Sequence, residues 1–207
     1  MKTLAEVSEF DSLYYFLKRS IQTLQQLHAT GISHGSIEPL TLRVDSSYEL
    51  LEGTIDTKYA APEIVFGLAI VENYAADEAI RLWKSDSSAM KWIEKWLPAI
   101  AEDYTTKALQ KLIGTPIPEQ QSDIWSLGLS YLSMYDILYK KDVSFSEKDL
   151  FFEALSSMLR LRGRSFPTVE PSVVVASSSV APPSGRMILT EPIHRGERNK
   201  TRRNLRN

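Results

Sequence analysis

The chain has 207 residues, 43% of them hydrophobic and 24% charged, proportions of a soluble globular protein long enough to bury a core. It has no cysteine, which excludes disulfides, thiolate nucleophiles and cysteine zinc sites, and its three histidines (His28, His34, His194) are not spaced as a metal pair. The formal net charge is −2, but residues 160–207 hold ten Lys and Arg against three Asp and Glu, so a basic tail follows an acidic body.

The longest apolar run, residues 64–71, falls far short of the roughly 20 residues a membrane span needs. Residues 1–7 lack the basic and apolar regions of a secretory signal. The expectation is an intracellular protein, cytoplasmic or nuclear, with no membrane partner.

In chain order, Phe10, Leu13, Tyr14, Leu17, Ile21, Leu24 and Leu27 recur at three- and four-residue steps, which predicts an amphipathic helix over about 9–29. Gly31 sits just past it as a cap. Residues 41–44 and 48–51, separated by Asp45-Ser46-Ser47, predict a small β-hairpin. Pro62 is expected to break the chain. Helices are predicted over 74–84 and 87–97, with Trp83, Trp92 and Trp96 on apolar faces and Pro98 kinking or ending the second, and another over 102–113. After the breaker Thr115-Pro116-Ile117-Pro118, a strongly apolar helix is predicted over 121–139 and another over 146–160. Ser146 is the predicted cap of the last, with Glu147 and Asp149 in its first turn. Residues 170–185 are rich in Ser, Val, Ala and Pro and 186–207 are basic; with no periodicity to pack, 170–207 is expected to be a disordered tail. The fold class is therefore mainly α, with one domain over residues 1–169.

Three segments, in order, resemble the C-terminal lobe of a eukaryotic-type protein kinase. His34-Gly35-Ser36-Ile37-Glu38-Pro39-Leu40-Thr41 follows the first long helix and is similar to the catalytic loop H-R-D-L-K-P-x-N. Tyr59-Ala60-Ala61-Pro62-Glu63 resembles the A-P-E motif that closes the activation segment. Ser122-Asp123-Ile124-Trp125-Ser126-Leu127-Gly128 resembles the start of the central buried helix of that lobe. A weaker fourth segment is Met158-Leu159 followed by Pro167-Thr168. The resemblance covers about residues 9–169. It implies that Asp123 accepts backbone hydrogen bonds from the catalytic loop and that Glu63 pairs with a late arginine. Phe166 stands at the family's arginine position, and Arg164, two residues earlier, is the candidate substitute. Trp125 and Gly128 complete the structural motif.

The departures from the family bear on function. Ser36 replaces the aspartate that accepts the substrate proton, and a neutral hydroxyl is a poor base near pH 7. Glu38 replaces the lysine that holds the transferred phosphoryl group, so charge repels where it should attract. Thr41 replaces the metal-binding asparagine, and Gly35 the arginine that pairs with an activation-loop phosphate. Glu52-Gly53 is the only remnant of D-F-G; Glu52 is a weak metal candidate, and residues 54–62 alone separate it from Glu63, where the family uses roughly 20–30. No G-x-G-x-x-G loop or V-A-I-K lysine precedes His34, so the nucleotide-binding lobe is expected to be absent.

Residues 64–122 separate Glu63 from Asp123, where the family has roughly 15–20, which implies a helical insert over about 67–120. The next gap, about 140–145, is too short for the helix the family carries there, so the insert is expected to cover the surface that helix leaves. Its tryptophans read as local core or as a partner-docking surface. The overall expectation is a truncated, catalytically inactive kinase-like protein (a pseudokinase) that works as a protein-binding scaffold or regulator. It would use no cofactor, metal or ATP, and its protein partner could itself be a kinase. Nucleic acid is a second partner class, through the basic tail. The alternative is a divergent serine/threonine kinase whose nucleotide-binding lobe comes from another chain. His34 is expected to pack as a structural residue, and His28 to lie on the surface.

Overall fold

Leu13, Leu17, Ile21 and Leu24 are fully buried along one side of α1 (Leu13–Ala29), so the three- and four-residue spacing of the sequence is the packed face of the helix. Gly31 follows its end with φ +82°. The structure, a computed structural model, describes residues 2–10, 12–44, 56–139 and 147–168. All belong to a compact unit, Met1–Glu170; the chain's other unit, Pro171–Asn207, lies outside the described residues, and with it the predicted disordered, basic tail. Residues 48–51 of the predicted hairpin, the Glu52-Gly53 remnant and the Ser146 cap also lie outside them.

The described residues are mainly α-helical and contain no strand beyond an isolated antiparallel bridge, Thr3 to Arg43. Around it, Leu4 N donates to Leu42 O (2.8 Å) and Val44 N to Lys2 O (3.0 Å). Residues 42–44 thus pair with the N-terminal segment, a partner the hairpin reading does not supply. A 3₁₀ turn at Leu4–Glu6 follows, and Glu6 Oε2 accepts from Thr3 N at 2.7 Å. Leu4, Val7 and Phe10 of the N-terminal segment are buried.

The reading of Pro62 as a breaker fails. Pro62 opens helix α2 (Pro62–Val71) at its first position, where a missing N–H costs no helical hydrogen bond and the fixed φ already suits the helix. The continuous apolar run behind it has no polar period that would mark a helix in sequence. Two helices follow close to the predicted bounds, α3 (Ala76–Asp86) and α4 (Ser88–Trp96). Ser87 Oγ caps α4 by accepting from Met90 N at 3.1 Å. The helix predicted over 102–113 begins later. Pro98 opens the short α5 (Pro98–Ala101), and Thr105, whose hydroxyl accepts from Ala108 N, starts α6 (Thr106–Leu112).

Helix α7 (Glu119–Tyr139) is the axis of the unit: every residue from Ser122 to Asp136 is buried. A helix apolar all round must be covered all round. Helices α1, α4 and α8 (Lys148–Met158) pack against it. Its polar residues are satisfied locally or by a neighbour. Ser130 Oγ donates to Ser126 O (2.8 Å), and Ser20 of α1 shares a 2.8 Å hydrogen bond with the Tyr131 hydroxyl.

The segment from α2 to α6 is built into this core. Trp83 stacks on Tyr104 (ring centroids 5.8 Å) and meets Phe66 edge-on; the Tyr104 hydroxyl accepts from Trp125 Nε1 (2.8 Å) and donates to Leu159 O (2.5 Å). Trp96 packs edge-on against Tyr135 and Tyr139 and hydrogen-bonds Asp136 Oδ1 at 2.9 Å. The same carboxylate holds Lys95 Nζ at 2.6 Å, tying α4 to α7. Trp92 stacks on Tyr59. The three tryptophans are core and core-edge residues.

Candidate functional site

The site is a loop suspended from one buried carboxylate. Asp123 is 2% exposed, in the second turn of α7. Its Oδ2 accepts from His34 N (2.7 Å) and its Oδ1 from Gly35 N (2.8 Å). His28, near the end of α1, brings its Nε2 to 3.0 Å from Oδ2. A carboxylate this deep needs such partners, because an unpaired one would cost several kcal/mol or more. Gly35 takes φ +80° between the two anchoring amides, a conformation glycine adopts without a Cβ clash.

His28 corrects the sequence reading. Its side chain is 9% exposed, hydrogen-bonded to Asp123 and near the Phe166 ring. One turn of α1 above, Leu24 is fully buried, so the helix phase puts position 28 on the inward edge. That periodicity was the signal, and the polar side chain masked it. His34 is half-buried, and its Nδ1 accepts from Ser36 N at 3.3 Å.

Beyond the anchor, the loop is closed by Thr41. Its side chain is buried, and Oγ1 lies 3.1 Å from the carbonyls of both Ser36 and Glu38 and accepts from Glu38 N at 3.0 Å. The hydroxyl is used up inside the loop. Ser36 is half-buried, and among the described residues no side chain is hydrogen-bonded to its hydroxyl as a base. Glu38 titrates above its ordinary range, because burial disfavours its charge and Asp56 adds negative potential. The loop thus presents a neutral hydroxyl at position 36 and a carboxyl at position 38.

A second anchor lies beside the first. Glu63, in the first turn of α2, forms a two-pronged ion pair with Arg164, whose Nη1 donates to Oε1 and Nη2 to Oε2 (2.9 Å for the latter). Ser122 Oγ also donates to Oε1 at 2.7 Å. Arg164 is buried and spends its remaining donors on the carbonyls of Arg160, Gln121 and Leu161. Successive residues of α7, Ser122 and Asp123, thus serve the two anchors. Between them lies a cavity of about 190 Å³ lined by Gly35, Ala60, Ile64, Ser122 and Asp123, below the roughly 300–1,000 Å³ of ordinary small-molecule sites.

Sequence reasoning named Asp123, Glu63, His34, Ser36, Glu38 and Thr41, and these residues gather around the two anchors. Trp125 and Gly128 lie deeper on α7 and serve packing: Trp125 is fully buried, and Gly128 faces the end of α8. Glu52 is outside the described residues. Ser33 and Glu119, joined by a 2.6 Å hydrogen bond that ties the loop's entry to the start of α7, escaped the sequence reading. Among the described residues, no group of three acidic or histidine side chains is arranged to hold a metal ion, and no helix is long and apolar enough to cross a membrane. No protein family, curated protein or solved structure matches the chain, so no relative assigns a role to these residues.

Proposed function

We propose that the chain is a kinase-like helical lobe without phosphotransfer activity that serves as a protein-binding scaffold or regulator inside the cell. The observation that carries this reading is the loop of residues 34–41: it hangs from Asp123 by two amides, as the family resemblance implies, yet it carries a neutral hydroxyl at Ser36, a carboxyl at Glu38 and a Thr41 hydroxyl spent inside the loop. Thr41 has turned its oxygen inward to close the loop, and Glu38 sets a carboxyl beside Asp56. Phosphoryl transfer depends on positioned cations and a proton acceptor, and losing either typically removes orders of magnitude in rate. The binding role draws support from the outward face of α2 and the turn after it, where Leu68, Ile70, Val71 and Tyr74 are exposed, Val71 at 80%.

The test uses the full chain. Thermal melting with and without Mg-ATP is expected to give the same midpoint, because a ligand stabilises only a fold that binds it. Val71→Glu is expected to leave the melting midpoint unchanged and to abolish recovery of a protein partner captured by the wild-type chain. A clear Mg-ATP-dependent rise in midpoint would favour the divergent-kinase alternative, and partner recovery indifferent to Val71→Glu would remove α2 as the binding face.

A further inference from the structure

We propose that the cleft between α6 and the turn at Leu161 and Arg162 is a binding site for a phosphate group carried by a small anionic ligand. This inference is independent of the kinase-like reading. The cleft is about 510 Å³, within the size range of small-molecule sites. Lys107, Ala108 and Lys111 of α6 line it together with Leu161 and Arg162.

Lys111 is in the last turn of α6, where a cation is favoured, but the placement of Lys107 is not one the fold alone favours. Lys107 and Lys111 are four residues apart on one helix, so their side chains are neighbours on its surface and repel. Lys107 is also in the first turn of α6, the wrong end of a helix for a cation. Among the described residues, neither lysine has an ion-pair partner. Arg162 is held in place by a 3.0 Å hydrogen bond from Nη2 to Lys111 O, leaving other guanidinium N–H groups for a ligand. Asp103 is the acid on the cleft's rim, so three cations face one carboxylate.

Two ammonium groups and a guanidinium match a phosphate monoester, which carries nearly two negative charges and three strong acceptor oxygens. A compact ligand fits better than an extended polyanion. Asp103 borders the cleft and would repel phosphates placed beyond it.

The probe is inorganic phosphate, added to the full chain at constant ionic strength. Titration calorimetry is expected to give saturable binding with a dissociation constant of about 1 mM or tighter. Lys107→Gln/Lys111→Gln and Arg162→Gln are each expected to weaken it about tenfold, while Lys91→Gln, on α4, does not. A second measurement needs no variant: phosphate should protect Lys107 and Lys111 of the wild-type chain from acetylation, read by mass spectrometry, with Lys91 as the internal reference. Absence of saturable binding, equal affinity in the cleft variants and wild type, or equal acetylation of all three lysines would each overturn the assignment.

Discussion

Glu63 and Arg164, 101 positions apart in sequence, meet in a two-pronged ion pair, with side chains 10% and 1% exposed. The pair joins the start of α2, the start of α7 through Ser122, and the segment after α8. Such a pair is a lock more than a source of net stability, because the two charges were expensive to bury. Breaking it is another matter, since the survivor keeps its burial and loses its partner.

Arg164→Ala is therefore expected to lower unfolding free energy by about 3–5 kcal/mol, a large share of what a domain of this size has. Arg164→Lys should recover only part of it, because an ammonium cannot span both carboxylate oxygens. Replacing both residues, Glu63→Gln with Arg164→Met, should cost less than Arg164→Ala alone. Urea denaturation of the four proteins measures this; a double variant less stable than Arg164→Ala would contradict the account.

Glu38 gives a pH signature. Its folded-state titration is raised above the ordinary value of 4.5, burial first and Asp56 second. Between 4.5 and that raised value the folded chain holds a proton the unfolded chain has released, so stability falls as pH rises through this window. At neutral pH the ionised group opposes folding. Glu38→Gln is expected to melt higher than wild type at pH 7, with the gain gone below about pH 4.5. A gain that persists in acid would point to a shape effect instead of charge.

Gly128 marks the closest approach of α7 to the end of α8. A Cβ there would sit 3.1 Å from Leu159 Cγ and 3.1 Å from Met158 Cβ, inside ordinary contact distance. Gly128→Ala is expected to destabilise by about 1–3 kcal/mol, although alanine is the better helix former. Calorimetric melting of the variant decides the sign; a rise in midpoint would mean that α8 moves away at little cost.

The helices announced by a face of spaced apolar residues, α1 above all, were legible because burial on one side leaves a period in the sequence. Helix α2 was not, since an unbroken apolar run has no period and its opening proline reads locally as a stop. The anchor roles of Asp123 and Glu63 came from motif resemblance, and a carboxylate beside an apolar helix gives no partner by itself. His28 was missed for a related reason: its place follows from the helix phase, but its purpose follows from Asp123, 95 positions away in sequence. The inward turn of Thr41 had no signal, because a threonine that closes a loop and one that faces solvent look alike in sequence.

The most direct measurement incubates the purified full chain with γ-labelled ATP, magnesium or manganese, and a generic acceptor protein. The account predicts no incorporation above that of the Ser36→Ala variant, in the acceptor or in the chain itself. Incorporation by the wild-type chain that Ser36→Ala abolishes would contradict it.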